Sequence, residues 1–469
     1  MANKFTRLLP KSFSKNPKVD RALHHSVYSA MCYSIMSGAG EAYFSAFALF
    51  LKASSTQIGL LASLPQLFGA LAQLLSAAIG KKTGLTRKRL IVLGTGFQAL
   101  TWIPIILIPF LFKEHTASIF IVCVMLYYCG THFAVPHWYS LMGDLVPERR
   151  RGRFFALRSR LASVTGFITM VTAGMILHFF DQHDWVLWGF SAIFSIAMVA
   201  RLSSVYHQSQ LLDITGHSAA LEIPAKLIWW RVYFQSRFSR FTLYYTCAQF
   251  ATSIAAPFFA IYLLQDLHYS YLEFTLNMAT VVLVQFLSLH WWGRLGDVFG
   301  NRLIIVTCGL LLPFLPLLWL VSTYFWYLIA IQAAAGFVLA GFNLSTGNYI
   351  FDAVPKEKRI TILAMHNIFS NVGLFGGALL GGLAATHLPQ QIQLGDWHFQ
   401  WLTPLYGVFV ISFLARLSVA ALFLRRLREV RQVKPLTVKE LMLRTSKIQN
   451  LRPRFLLEIL PIWLRRLKS

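Results

Sequence analysis

The chain has 469 residues, of which 56% are hydrophobic and only 13% charged, and its formal net charge is +25. A soluble protein of this length usually carries about 25% charged residues, so a water-soluble globular fold is excluded. The five cysteines (Cys32, Cys123, Cys129, Cys247, Cys308) all lie inside apolar stretches, which excludes a disulfide framework.

The apolar residues gather in blocks of roughly 20, the length that crosses about 30 Å of hydrocarbon as helix. A basic tail, 1–25, comes first. Block one, 26–51, is too long for a signal-peptide core and has no small-residue cleavage site, so it is expected to stay as a membrane helix. It places Tyr33, Ser37, Glu41 and Ser45 at i+4 spacing, a single polar stripe along one helix face. Glu41 is the one acid deep in any block. A carboxylate in hydrocarbon faces the protein interior or a water-filled cavity and acts there, so Glu41 is a candidate for binding and releasing a proton, with a structural, hydrogen-bonded Glu as the alternative.

Block two, 58–79, leads into the loop GKKTGLTRKRL, Gly80 to Leu90. Blocks three and four, 90–112 and 118–142, follow; DLVPERRR, Asp144 to Arg151, separates the latter from blocks five and six, 161–180 and 185–205. The central stretch 206–240 contains EIPAKLIWWRVYF, Glu222 to Phe234, whose mixed aromatic and basic residues predict a helix lying on the membrane surface. Six more blocks complete the chain: 241–265, 271–292, 303–322, 324–347, 360–387 and 402–424, before a basic amphipathic tail, 425–469. The domains expected are thus a six-helix bundle over 26–205 and another over 241–424, joined by 206–240.

The charge explains itself by position. If the first residue is cytoplasmic, 39 of the 43 lysines and arginines face the cytoplasm, only Lys52 and Lys113 face the other side, and Arg201 and Arg416 fall within blocks or near their ends. This is the positive-inside pattern, which predicts both termini in the cytoplasm of an inner or plasma membrane. The charge therefore marks topology and contact with anionic lipids, not a nucleic-acid partner.

The two halves repeat. GKKTGLTRKRL aligns without gaps on GRLGDVFGNRL, Gly293 to Leu303, at an offset of 213, and DLVPERRR aligns on DAVPKEKR, Asp352 to Arg359, at an offset of 208. Each landmark follows the second or fourth block of its half, the mark of a duplicated transporter. G-x-x-G-D-x-x-G-x-R between two apolar blocks, with D-x-V-P-x-x-[RK]-R after the fourth, resembles the major facilitator superfamily over the whole chain apart from the tails. The resemblance implies an all-α membrane fold of twelve helices in two pseudo-symmetric six-helix bundles.

It also implies a conformational latch. Gly293 and Gly296 would end a helix at a close approach, Gly300 would make a tight turn with positive φ, and Arg302 would reach Asp352. Arg89 and Asp144 hold the matching places in the first half. Asp297 would close one side of the protein onto the start of block five, Pro147 to Arg153, where a helix N-terminus and four arginines attract an acid. The first-half loop has Gly84 where the motif has aspartate, which leaves the reciprocal latch in doubt.

In the superfamily the first and fourth helices of each half line a central cavity. That selects Tyr33 and Ser37 in block one, Tyr128, Thr131, His132, His137 and Trp138 in block four, Tyr245, Gln249 and Thr252 in block seven, and Asn343 in block ten. Each of these is equally a packing residue or an interhelical hydrogen bond, and His132 and His137 are alternative proton carriers. GTGFQA, Gly94 to Ala99, spells a dinucleotide fingerprint but has no strand before it. No metal-ligand cluster, cofactor site or nucleophile–base pair appears, so no enzyme is expected. The reading is a monomeric secondary transporter of a small solute, proton-coupled, working by alternating access. A lipid or amphiphile flippase, and a non-transporting assembly factor or receptor on the same fold, are the alternatives. With no arginine or lysine deep in the cavity-lining blocks, a neutral or cationic solute is favoured over an anionic one.

Overall fold

The structure is a computed structural model that describes residues 12–147, 151–214, 237–354, 359–389, 391–394, 397–400, 402–427 and 429–430. The predicted surface helix at 222–234 and the tail from 431 lie outside these residues.

Twelve helical rods run back and forth through the described chain. In the first half they are α1 (Pro17–Ala39, continuing as Phe44–Phe50), α2 (Ser55–Thr83), α3 (Arg87–Leu100 and Trp102–Leu111), α4 (Thr116–Leu145), α5 (Arg151–Asp181) and α6 (Val186–Ser209). The second half has α7 (Arg237–Ser253 and Phe258–Ile261, ending in a π turn to Asp266), α8 (Tyr271–Phe299), α9 (Asn301–Leu311 and Phe314–Leu318), α10 (Phe325–Ala353), α11 (Arg359–His387) and α12 (Leu405–Phe423). Eleven of them are long and apolar enough to cross a membrane by length and composition; α1, interrupted at Glu41, is the twelfth. The chain is a multi-pass membrane protein.

Local chemistry sets the ends. Asn16 caps α1 by accepting a hydrogen bond from the Lys18 N–H, ahead of Pro17 in the first turn. The second helix of each half opens on the same device, a reciprocal capping box: Ser54 with Gln57 on α2, Ser270 with Glu273 on α8. Each then stops at a glycine with positive φ, Gly84 (63°) and Gly300 (87°). The turn expected at Gly300 is present, and the first half turns at a different register, since the offset of 213 pairs Gly84 with Asp297 and Gly300 with Arg87.

Three apolar cores show how the halves sit. One is shared: it joins Phe44, Phe47, Trp102, Phe120 and Phe190 of the first half to Phe258, Tyr262, Phe274, Trp319 and Phe409 of the second. The other two are separate. Phe241, Trp292, Ile304 and Phe342 pack within the second half, and Leu23, Ile91, Leu141 and Phe154 within the first. The separate cores lie toward the face that carries Gly84 and Gly300, here termed the motif face. The shared core lies toward the opposite face, where Lys52 and Lys113 sit. The described residues of the two halves thus share a core toward one face and keep separate cores toward the other.

Close approach at the shared end relies on small residues. A Cβ on Gly373, Gly377 or Gly381 of α11 would strike the α7 carbonyls of Thr246, Phe250 and Ile254, and one on Gly59 of α2 would meet the Ala378 carbonyl of α11 at 2.5 Å. α11 therefore lies hard against both α7 of its own half and α2 of the other.

Two sequence expectations need correction, and one further element was not anticipated. α1 begins at Pro17, within the stretch expected as a tail, because Asn16 and Pro17 supply the start signal. α1 is also not one continuous helix. Between α11 and α12 the chain forms an antiparallel hairpin, β1 (Gln391–Leu394) with β2 (Trp397–Gln400), pairing Gln391 with Gln400; a stretch so short has too little periodicity to be read from sequence.

Candidate functional site

The helical ladder of α1 fails at Gly40. The Gly40 N–H still reaches the Met36 carbonyl (2.9 Å), but the next turn is 3₁₀, with the Tyr43 N–H donating to the Gly40 carbonyl (2.9 Å). A side chain at residue 40 would occupy the place taken by the Trp102 ring. That indole is fully buried and packs against Phe44, Tyr127 and Phe194 at ring-centroid distances of 5.5, 5.3 and 5.4 Å. The stripe from Tyr33 through Ser37 to Glu41 survives, and its continuation to Ser45 is lost to the 3₁₀ turn.

Both oxygens of the Glu41 carboxylate are held. Ser37 Oγ donates to Oε2 at 2.6 Å and Tyr127 Oη donates to Oε1 at 2.6 Å. Arg201, on α6, lies behind them at 2% exposure, its guanidinium 5.0 Å from the centroid of the Tyr33 ring. One of its nitrogens donates to Ser204 Oγ (3.3 Å), and Nε has no hydrogen-bond partner among the described residues. Arg201 interacts electrostatically with Glu41, though no ion pair joins them among the described residues. Of the two positions the sequence left open for Arg201, within a block or near its end, the structure shows the first: a permanent positive charge buried within α6. Tyr127 and Arg201 were missed by sequence reasoning. The signal for Arg201 was its lone basic charge in block six; Tyr127 carried none beyond its neighbour Tyr128.

The second half has a corresponding break. An offset of 213 carries Glu41 onto Ile254, and α7 stops at Ser253, where the Ala255 and Ala256 N–H groups both turn back to the Thr252 carbonyl (3.4 and 3.2 Å) ahead of Pro257. Arg416 of α12, at 8% exposure, braces it by donating to the carbonyls of Thr252 (3.3 Å) and Leu312 (3.1 Å). Four residues after Leu312 stands Pro316, which has no N–H to give. A cavity of about 20 Å³ beside Arg416, lined by Tyr244, Thr252, Leu312 and Phe342, has room for one water.

The other cavity candidates divide. Tyr128 stacks edge-on against Tyr127 at 5.4 Å, and Thr131 Oγ1 bonds back to the Tyr127 carbonyl (3.4 Å), so both belong to the Glu41 neighbourhood. His132 packs where a Cβ on Gly69 of α2 would be, and His137 is 2% exposed with Nε2 2.7 Å from Ser76 Oγ of α2. Both histidines thus face α2 rather than Glu41. Trp138 lies under the Arg158 guanidinium at 4.4 Å. In the second half Tyr245 stacks on His366 (4.9 Å), Gln249 and Thr252 are partly buried, and Asn343 is exposed.

The motif face is wired differently from the sequence expectation. Arg87, not Arg89, reaches Asp144 (2.7 Å), and its other nitrogens hold Asp213 just beyond α6 (2.7 and 3.2 Å); Arg89 is exposed. In the second half Asn301, not Arg302, donates to Asp352 (2.9 Å), while the Arg302 N–H donates to Glu429 (2.8 Å) and its Nε to the Leu427 carbonyl (2.5 Å). In each half an acid just past the last helix thus ties down the start of the third. α8 continues past Gly293 and Gly296 to Phe299; a Cβ on Gly293 would make only ordinary contact with Leu344 at 3.8 Å, whereas Gly296 lies tight against Asn301. Asp297 and Arg153 are exposed, and Arg151 donates to the Gly143 carbonyl (2.7 Å). Asp297 makes no hydrogen bond or ion pair among the described residues. Arg149 and Arg150 lie outside them.

Twelve membrane helices in two repeated halves that share a core toward one face and keep separate cores toward the other, around a partly buried acid, define a polytopic membrane transporter fold. The chain belongs to the major facilitator superfamily, whose family model matches residues 29–238 and 241–466. Its fold is similar to that of the nucleoside transporter NupG (TM-score 0.64, 12% identity, covering 87% of this chain and 100% of that one). It is similar also to a D-xylose-proton symporter (0.61, 11%, 89% and 99%). A bacterial homologue of the human lysosomal transporter Spinster, in an inward-facing and unoccupied conformation, is a third (0.58, 14%, 88% and 96%). No curated protein matches the sequence.

Proposed function

We propose that the protein is a proton-coupled secondary transporter of a small solute, working by alternating access, with Glu41 as the proton carrier. The observation that carries this reading is the Glu41 carboxylate itself, placed at a break in α1 with one hydroxyl on each oxygen and a buried arginine within electrostatic reach. An acid so expensive to keep in a membrane interior is retained there for a reaction that needs it. The separateness of the two apolar cores toward the motif face supports a conformation open to the cytoplasm, in line with the positive-inside distribution of charge. Closing that face would bring Asp297 to the start of α5, near Arg151 and Arg153, as a latch. A D-xylose-proton symporter among the similar folds fits proton coupling without assigning the solute.

Arg201 lies on α6, outside the blocks expected to line the cavity, but it is a buried cation near the Glu41 break, so a screen includes anionic solutes as well. Purified protein is assayed for thermal stabilisation by anionic, cationic and neutral solutes, since a bound solute raises apparent stability by mass action. The solute found is then followed into vesicles. A pH gradient is expected to drive its accumulation by the native protein but not by Glu41→Gln, which keeps exchange. Accumulation that survives the substitution would overturn the role given to Glu41.

A further inference from the structure

Tyr43 lies two residues beyond Glu41, in the same 3₁₀ turn, and is 1% exposed. Its hydroxyl does not point into its own half alone. It donates to the Met170 carbonyl of α5 (2.6 Å) and lies 2.9 Å from Thr275 Oγ1 of α8, in the other half. Thr275 in turn fills the space that a side chain at Gly174 of α5 would need. Among the described residues only one other side-chain hydrogen bond crosses between the halves, Thr56 to Thr386 (3.1 Å), and it lies at the exposed rim of the same face. The buried cross-half bond therefore belongs to the residue that shares a turn with the candidate proton carrier.

We infer that Tyr43 is a positioning residue that joins the state of Glu41 to the closure of the face opposite the motif loops. The inference rests on the transporter reading above. The physical link is the turn. A 3₁₀ segment has poorer hydrogen-bond geometry than α-helix and is kept short, so Glu41 to Tyr43 is the segment of α1 that rewinds most easily. Its α-helical alternative would rotate Tyr43 relative to Glu41. Change at the carboxylate, whose Ser37 and Tyr127 donors fix one end of the turn, thereby moves the hydroxyl at the other end off Thr275. The second half has no such link: residue 256, which the repeat offset of 213 pairs with Tyr43, is alanine.

The test uses the full chain in lipid nanodiscs with spin labels on cysteines replacing Lys113 and His387, both exposed on this face and one in each half. Distances between them are measured at acid and neutral pH. Tyr43→Phe is expected to raise the population with separated labels about fivefold, the scale of one net hydrogen bond. Thr275→Val should do the same, the two together should do no more than either alone, and Thr275→Ser should restore the native distribution. Glu41→Gln should shift the distribution as well, and its shift should shrink in the Tyr43→Phe background. If Glu41→Gln or pH moves the distances while Tyr43→Phe and Thr275→Val do not, or if the shifts add independently, the inference is overturned and the transporter reading stands. Distances that respond to neither pH nor Glu41→Gln would overturn the transporter reading itself.

Discussion

The two broken helices, α1 and α7, occupy corresponding places in the repeat and are built from different chemistry. In α1 the break holds a carboxylate with hydroxyl donors on both oxygens and a tyrosine that reaches the other half. In α7 the same place holds Ile254, Ala255, Ala256 and Pro257, and the charged group that reaches it, Arg416, donates to backbone carbonyls. Duplication supplied two hinges. The difference teaches that a break in a membrane helix is a matter of backbone bookkeeping, while what the break does depends on the side chains set into it. On this account the first half carries the coupling chemistry and the second half supplies a braced counterpart.

The largest effect expected of a change at either break is on Gly40. Gly40→Ala drives a methyl group into the buried Trp102 ring, and overpacking of that kind costs about 1–3 kcal/mol. Thermal unfolding should show a marked loss of stability, whereas Ser253→Ala, at the corresponding buried place in α7, removes a hydroxyl with no hydrogen bond among the described residues and should cost less than Gly40→Ala. Equal losses at the two sites would erase the contrast. Arg416→Met comes next. It leaves the Leu312 carbonyl without a donor, and an orphaned buried acceptor costs about 1–3 kcal/mol, partly offset by relief from burying a charge. Stability should fall by roughly 1 kcal/mol, while proton uptake at Glu41 is unchanged. A loss of proton uptake in Arg416→Met would mean the two breaks share the coupling. The smallest effect is expected of Asp297→Asn, which removes an exposed acid with no partner among the described residues in this conformation. Stability should change by no more than about 0.5 kcal/mol, and a larger loss would show that the aspartate is engaged here.

Much of this was legible in the sequence, for definite reasons. Apolar blocks long enough to cross a bilayer announce themselves, and the loops at Gly80 to Leu90 and Gly293 to Leu303 announce the duplication because they align without gaps after the second block of each half. Glu41 stood out because an acid in an apolar block is rare. The partners of these groups were less legible. Arg87 rather than Arg89 reaches Asp144, and Asn301 rather than Arg302 reaches Asp352, since helix phase after a turn decides which neighbour points inward, and one residue is about 100° of rotation. Periodicity also could not show that α1 breaks at Gly40. The ring that requires glycine at residue 40, Trp102, comes from a different helix. Nor could it show that His137 would be taken up by Ser76, since a histidine on an apolar face reads the same whether it faces a cavity or a neighbouring helix.

The central claim is that Glu41 takes up and releases a proton in the folded protein, and it can be tested before any solute is known. Infrared difference spectra of the protein in lipid, recorded between acid and neutral pH, report the carbonyl stretch of carboxyl groups as they gain a proton. The account predicts a band from a carboxyl held by hydroxyl donors that is present in the native protein, persists in Arg416→Met and disappears in Glu41→Gln. A difference spectrum that is the same in Glu41→Gln as in the native protein would contradict it.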